Sequence, residues 1–246
     1  MPIFDDDMTT SAIGGSGYGF SAKRIDQLGA SEYTLVGLVV DRSGSVGGFQ
    51  RDMEACVKDV VKACLLSPRA DNLMLRLTVF DNVVEEFHGF RPLSECDEGK
   101  YTDCVVPRGA TALYDATYNA VEAVVRYGKD LVANQYSANG IVIVVTDGDD
   151  NSSKMTPTAI QDAVTKACKG ESLESLVTIL VGVNVTDPHM SQRLRTFHQD
   201  VGFTQYIELK DASAKTLAKL AAFISKSVSA QSQSLGSGGA SRPLTF

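Results

Sequence analysis

Apolar and polar residues along the middle of the chain follow two periods, one typical of strands and one of helices. Residues 33–40 (YTLVGLVV) and 141–145 are almost entirely apolar, which predicts strands buried on both faces of a sheet. Segments with apolar residues at every third or fourth position follow these runs and predict helices. The predicted strands are 33–40, 73–80, 83–87, 141–145, 176–183 and 206–209, and the predicted helices are 49–65, 113–127, 157–169, 188–201 and a last one from 211.

The order of these elements predicts an α/β fold with a doubly wound, mostly parallel central sheet and helices on both faces. Asp81-Asn82 suits a tight turn between the second and third strands, so residues 83–87 are expected to form one antiparallel edge strand. Gly128 is placed to cap the second helix, and Thr156 and Gly170 to bracket the third. Ligands of such sheets bind at the carboxyl ends of the central strands.

The two ends of the chain differ in composition from the middle. Residues 1–32 are expected to form a glycine-rich, flexible N-terminal arm, and residues 229–246 a flexible tail rich in serine and glycine. The folded domain is then 33–228. The glycine cluster at 14–19 superficially matches a phosphate loop, but it precedes the first predicted strand and no Lys-Ser/Thr follows it.

Composition limits the kinds of binding partner and the cellular compartment expected for the chain. The 246 residues include 23 Lys and Arg against 30 Asp and Glu, and the net charge of −7 argues against nucleic acid or an anionic membrane as the main partner. The apolar runs are strand-sized, and the first residues lack the features of a signal peptide. The five cysteines are an odd number without a Cys-x-x-Cys pair, which predicts a reduced, cytoplasmic chain.

Three polar loops are predicted to meet at the carboxyl edge of the sheet. DRSGS follows the first long apolar strand, TDGDD follows the second, and RGAT precedes the second helix. Hydroxyl and carboxylate oxygens without His or Cys are donors suited to Mg²⁺ or Mn²⁺, with Ca²⁺ less favoured. The candidate metal ligands are Asp41, Ser43, Ser45, Thr111 and Asp147.

These three motifs, in this order, resemble the metal-ion-dependent adhesion site (MIDAS) of von Willebrand factor type A (vWA) domains. The family pattern is Asp-x-Ser-x-Ser, then a distant Thr, then a distant Asp, and the resemblance covers roughly residues 33–228. It implies Ser43 and Ser45 as direct ligands, Thr111 and Asp147 alternating between direct and water-mediated contact, and Asp41 acting through water or the serine hydroxyls. Gly-Ala-Thr departs from the Gly-Gly-Thr that is commoner in bacterial members.

The resemblance also implies a function: a binding module, not an enzyme, in which the metal accepts a carboxylate from an Asp or Glu of a partner protein. The chain looks most like the intracellular prokaryotic or phage type, whose partners include AAA+ ATPases and assembly components.

Each motif residue also has a local alternative, because Ser43, Ser45 and Thr111 could serve as turn or helix-cap residues. Asp147-Gly148 could likewise be only a turn.

Two other functional classes remain open at this stage. The chain could be a structural or assembly subunit, of phage or secretion type, that makes its contacts through the arm and tail. It could instead be a metal-dependent phosphatase with Asp41 as nucleophile, although the haloacid-dehalogenase-like motif needs an Asp where Ser43 stands. Asp149 and Asp150 could hold a second cation or simply be solvated acidic residues. The three histidines show no zinc-site spacing.

Overall fold

The computed structural model of the chain describes residues 7–169, 172–237 and 244–246, in which one eight-stranded sheet is flanked by five α-helices. The elements in chain order are β1 Met8–Ala12, β2 Gly19–Lys23, β3 Glu32–Asp41, α1 Gln50–Leu65, β4 Leu73–Phe80, β5 Val84–Pro92, α2 Leu113–Ala133, β6 Ser137–Thr146, α3 Pro157–Lys169, β7 Leu176–Gly182, α4 Pro188–Val201, β8 Gln205–Glu208 and α5 Ala214–Ser237.

The predicted fold class is confirmed. The strand order is β1-β2-β5-β4-β3-β6-β7-β8, and β4, β3, β6, β7 and β8 run parallel to one another. One face of the sheet packs its apolar side chains against α1 and α5, and the other packs against α2, α3 and α4. Because β3 and β6 are covered on both sides, they carry the long apolar runs seen in the sequence.

The antiparallel strand after Asp81-Asn82 is present, but it does not lie at the sheet edge. β1 and β2 form an antiparallel hairpin that extends the sheet beyond β5, so the expectation of a flexible arm fails over these residues. Phe20 and Ala22 are buried, while the backbone ladder between β2 and β5 consists of a single pair, Ala22 with Phe90. The carboxylate of Glu86 accepts the backbone N–H of Ser21 at 2.9 Å and joins the two strands in place of a second rung.

The C-terminal part also differs from its prediction, because α5 continues nine residues past the expected domain end at 228. Gln231 is buried, and its side-chain amide donates to the carbonyl of Gly140 and the hydroxyl of Ser175, both at 3.0 Å. Composition predicts a tail without a core, but the side chain of Gln231 binds the first half of β6 and the residue before β7 directly. Residues 238–243 of the predicted tail lie outside the described residues. No helix in the described part is long and apolar enough to cross a membrane.

Gly128 does not cap α2, which runs on to Ala133. A Cβ at Gly128 would overlap the side chain of Leu173, so this glycine permits close packing between α2 and the segment before β7. The amide of Ala159 donates to the hydroxyl of Thr156 at 3.3 Å, as expected for the cap of α3. Gly170, the other predicted boundary of that helix, lies outside the described residues.

Candidate metal centre at the carboxyl end of the sheet

Asp41 is the last residue of β3, and its carboxylate is fixed by two neighbours. The parallel register pairs Val40 with Val145 and therefore brings Asp41 beside Thr146 on β6. The hydroxyl of Thr146 donates to Oδ2 of Asp41 at 2.6 Å, and the backbone N–H of Ser43 donates to Oδ1 at 2.7 Å. Asp41 is completely buried, so the strand pairing holds this carboxylate in one place.

The two serines continue from Asp41 toward the second strand end. The hydroxyls of Ser43 and Ser45 lie 3.0 Å apart, and Ser45 donates to Oδ1 of Asp147 at 2.8 Å. Ser43 precedes a 3-10 turn over Gly44–Gly48, but its hydroxyl makes no capping bond there. The structure thus links four of the five predicted residues, Asp41, Ser43, Ser45 and Asp147, through direct hydrogen bonds.

Thr111, the fifth residue, contacts the loop that follows β6. We call Asp41, Ser43, Ser45, Thr111 and Asp147 together the rim. Its backbone N–H donates to Oδ1 of Asn151 at 2.8 Å, and the N–H of Asn151 returns a bond to the carbonyl of Thr111 at 3.0 Å. A Cβ placed on Gly148 would lie 3.8 Å from the hydroxyl oxygen of Thr111. The cap position of α2 belongs to Ala112, so the alternative role of Thr111 as a helix cap is wrong.

Backbone hydrogen bonds tie the Thr111 loop to the serine loop. The N–H of Gly44 donates to the carbonyl of Gly109 at 3.3 Å, and the N–H of Arg108 donates to the carbonyl of Arg42 at 2.9 Å. Gly109 has a φ of 68°, in the left-handed region that favours glycine. The Gly-Ala-Thr sequence therefore keeps its glycine where the backbone needs one.

The electrostatics of the rim suit a cation. Burial, with a smaller contribution from the charge of Asp147, raises the pKa of Asp41 to about 6 against the hydrogen bonds from Thr146 and Ser43. Burial also raises the pKa of Asp147, which the hydrogen bond from Ser45 opposes. Neither carboxylate forms an ion pair with a described Lys, Arg or His residue. A divalent cation between them would offset the free-energy cost of keeping two unpaired carboxylates ionised in a buried place. The donor set therefore fits a hard metal ion.

A metal site here needs hydroxyl ligands, because the acidic, His and Cys side chains do not form a metal site by themselves. Among the side chains that the structure describes, no three or more of His, Cys, Asp or Glu are arranged to hold a metal ion. Asp149 is hydrogen-bonded to Arg193 at 2.5 Å, and Asp150 accepts the backbone N–H of Tyr114 at 3.2 Å. The two acids that could have formed a second cation site are thus engaged in contacts within the protein.

Sequence reasoning missed several residues that build this rim. Thr146 directly precedes Asp147 and faces Asp41 across the strand pair, a position that the alignment of the two apolar runs could have indicated. The sequence indicates no role for Asn151, although it fixes both backbone groups of Thr111. For Asp81 the sequence predicts only a turn, whereas its carboxylate accepts bonds from Arg42 and Arg108. Nothing in the local sequence signals that last contact.

No protein-family model matches the chain, and no curated protein matches it in sequence. Solved structures do resemble it in fold. The PilB minor pilin from Streptococcus sanguinis superposes with a TM-score of 0.59 at 15% identity, covering 92% of this chain and 67% of the pilin. The pilus adhesin SpaC from Lactobacillus rhamnosus GG gives a TM-score of 0.57 at 13% identity, covering 82% of this chain and 31% of the adhesin.

A third similar structure bears on metal sites. Proximal thread matrix protein 1 (PTMP1) from the mussel byssus gives a TM-score of 0.56 at 18% identity, covering 81% of this chain and 47% of that protein. PTMP1 has also been solved with a zinc-occupied MIDAS motif. The chain spans about two thirds of the pilin and less than half of the other two proteins. At these identities the likeness concerns the fold alone, and that fold is vWA-like.

Proposed function

We propose that the protein is a metal-dependent protein-binding module, in which a divalent cation at the rim accepts a carboxylate from an Asp or Glu of a partner protein. The observation that carries this proposal is the run of hydrogen bonds from Asp41 through Ser43 and Ser45 to Asp147. It gathers the buried carboxylate of Asp41, the half-buried carboxylate of Asp147 and two hydroxyls from two strand ends, and no described Lys, Arg or His pairs with either carboxylate.

The donor set leaves room for a ligand from outside. Ser43, Ser45 and either Thr111 or Asp147 supply about three direct oxygens, whereas Mg²⁺ takes about six ligands in octahedral geometry. Hydroxyl ligands are neutral, so a bound cation keeps positive charge that attracts an incoming carboxylate. Mg²⁺ or Mn²⁺ is the ion we propose. When bound, it would supply a Lewis-acidic position that the protein's own side chains lack.

The comparisons support an interaction role without identifying the partner. PTMP1 shows that a fold of this kind is found with a metal in a MIDAS motif, and the other similar structures are a pilin and a pilus adhesin. The cytoplasmic location remains a prediction from the cysteine content, and an AAA+ ATPase or an assembly component as partner remains a prediction from the resemblance in sequence.

The two alternative functions find less support in the geometry. Both carboxylate oxygens of Asp41 accept hydrogen bonds and the residue is fully buried, whereas a nucleophile must present an oxygen to its substrate. Much of the described arm and tail lies in β1, β2 and α5, which pack into the fold and are not free contact segments. We therefore propose binding, and not catalysis, as the activity.

The test combines metal titration with partner capture. Purified protein should bind Mn²⁺ at one strong site in calorimetry, and Asp41→Ala should abolish binding by removing one of two carboxylates. Partner capture from cell extract should then be lost in EDTA and in Thr111→Ala. The exposed Thr165 on α3 provides the matched control Thr165→Ala, which should capture normally. Capture that persists in EDTA and in Thr111→Ala would show that the metal site is not the recognition surface.

A further inference from the structure

A buried carboxylate outside the proposed ligand set connects the loops that carry the ligands. Asp81 follows β4 directly and is completely buried. Its Oδ2 accepts a hydrogen bond from Nε of Arg42 at 3.0 Å and another from Nε of Arg108 at 2.6 Å. Its Oδ1 accepts the backbone N–H of Val83 at 3.0 Å, so the two oxygens serve three donors.

The two arginines belong to the two loops that must meet. Arg42 lies between Asp41 and Ser43, and Arg108 belongs to the loop that ends at Thr111. The backbone contributes as well, because the N–H of Ala112, directly after Thr111, donates to the carbonyl of Asp81 at 2.7 Å. One residue thus contacts the serine loop on one side and both ends of the Thr111 loop on the other.

We propose that Asp81 is a positioning residue for the metal centre: its carboxylate, by holding Arg42 and Arg108 together, fixes Thr111 relative to the loop of Asp41 and the serines. This inference rests on the proposed function. Asp81 binds no metal in this account and acts only through the placement of Thr111.

A carboxylate is required because of the number and charge of its donors. An asparagine at position 81 has one acceptor oxygen and a new N–H₂ group, so it would leave at least one of the three donors without an acceptor. Glu85 also accepts bonds from Arg42 at 2.5 Å and Arg108 at 3.0 Å, but its side chain is 48% exposed against 1% for Asp81. Solvent screening makes it the weaker of the two acceptors.

The same hairpin contains a matched control. Glu86 accepts a hydrogen bond from Nε of Arg76 at 2.6 Å, and Arg76 is as deeply buried as Arg42. Glu86 contacts Ser21 of the neighbouring strand and none of the three site loops in the hydrogen bonds of the structure. Glu86→Gln therefore breaks a buried ion pair of similar kind without touching the metal-site loops.

The experiment measures Mn²⁺ affinity by calorimetry in the full chain and in four variants: D81N, E86Q, T111A and D81N/T111A. We expect D81N to weaken Mn²⁺ binding about ten- to hundredfold, the range for groups that orient metal ligands. E86Q should stay within about twofold of the wild type. In the T111A background, D81N should change the affinity by about twofold at most, since the residue it positions has lost its hydroxyl.

For each of these measurements, one result would contradict the proposal. Wild-type affinity in D81N would overturn the positioning role, and so would an equal loss caused by D81N with and without Thr111. If D81N does not fold, Arg108→Gln removes one donor from the exposed side, and an unchanged affinity there would overturn the role equally. Absence of Mn²⁺ binding by the wild type would reject the proposed function itself, a result separate from the other two.

Discussion

The hydroxyl of Thr146 donates a 2.6 Å hydrogen bond to Oδ2 of Asp41 across the pairing of β3 with β6. Together with the N–H of Ser43 it satisfies both oxygens of a carboxylate that burial keeps from water. These two bonds lower the pKa of Asp41 less than burial raises it, and the net value is about 6. The metal-free protein therefore holds an unfavourable negative charge at neutral pH.

We expect Asp41→Asn to stabilise the metal-free protein above about pH 6. The folded-state pKa lies above the value of 3.8 for an unperturbed carboxyl, so ionisation of Asp41 lowers the free energy of unfolding as pH rises from about 4 to 6. Asparagine removes the charge, and its N–H₂ can donate to Thr146. Denaturant unfolding in EDTA at about pH 8 should show a gain of up to about 3 kcal/mol, at about 1.4 kcal/mol per pKa unit.

The same comparison near pH 3 is the internal control, because Asp41 is then protonated in the folded protein and largely protonated in the unfolded one, so the gain should vanish. Asp149→Asn is the matched variant, since its carboxylate is paired with Arg193. That change should not stabilise the protein at any pH. A pH-independent effect of Asp41→Asn would mean that the charge of this residue is not the cause.

Gly109→Ala should destabilise the protein through the loop that carries Thr111. The φ of 68° costs an L residue about 1–2 kcal/mol, and the added Cβ would also overlap Oδ1 of Asn82. Gly202→Ala is the control, because Gly202 has a φ of 75° at the end of α4 but no heavy atom near its Cβ position. Thermal unfolding should show a larger loss for Gly109→Ala. Equal losses would indicate backbone strain alone.

Gln231→Ala should lower the free energy of unfolding by about 1–3 kcal/mol, the penalty for leaving buried polar groups without partners. Its side chain binds the carbonyl of Gly140 and the hydroxyl of Ser175, both inside the fold. Gln233→Ala on the same helix changes an exposed side chain and should stay within about 0.5 kcal/mol of the wild type. Chemical denaturation would measure both. Identical values would place Gln231 outside the cooperative unit.

Phe20→Ala tests whether the hairpin of β1 and β2 is part of the core. Phe20 is 3% exposed and its ring packs edge-on against that of Phe90 at 6.4 Å, so its loss should destabilise the protein by about 3–5 kcal/mol. Thr10→Ala, at an exposed position of β1, serves as the control and should have little effect. A small effect at Phe20 in equilibrium unfolding would mean that the hairpin detaches before the rest unfolds.

The sequence predicted the elements that pack on two sides and missed those that attach at the periphery. β3 and β6 are recognisable because burial on both faces requires long apolar runs, and their last residues then locate Asp41 and Asp147. β2 has only alternate apolar residues beside a glycine cluster, and its contacts with β5, among them the bond from Ser21 to Glu86, come from far away in sequence. Such a contact has no local signature.

The candidate site illustrates the same division. Its five predicted residues lie at or just after strand ends or precede a helix, positions fixed by local pattern, and four of them are joined directly by hydrogen bonds. The placement of Thr111 depends instead on Asn151 and Asp81, which belong to other loops. Residue types and spacing indicate the ligands, whereas tertiary contacts decide how they are held.

The hydrogen bond between Ser45 and Asp147 joins residues 102 positions apart in the chain. Contacts of such long range form late, because the chain must first give up the entropy of closing the intervening loop. The rim therefore exists only after β3 and β6 have paired, and an unfolded chain offers no comparable arrangement of donors. A cation that binds there would act by mass action on the native state alone, raising the midpoint of thermal unfolding with its concentration and slowing turnover of the protein by proteases.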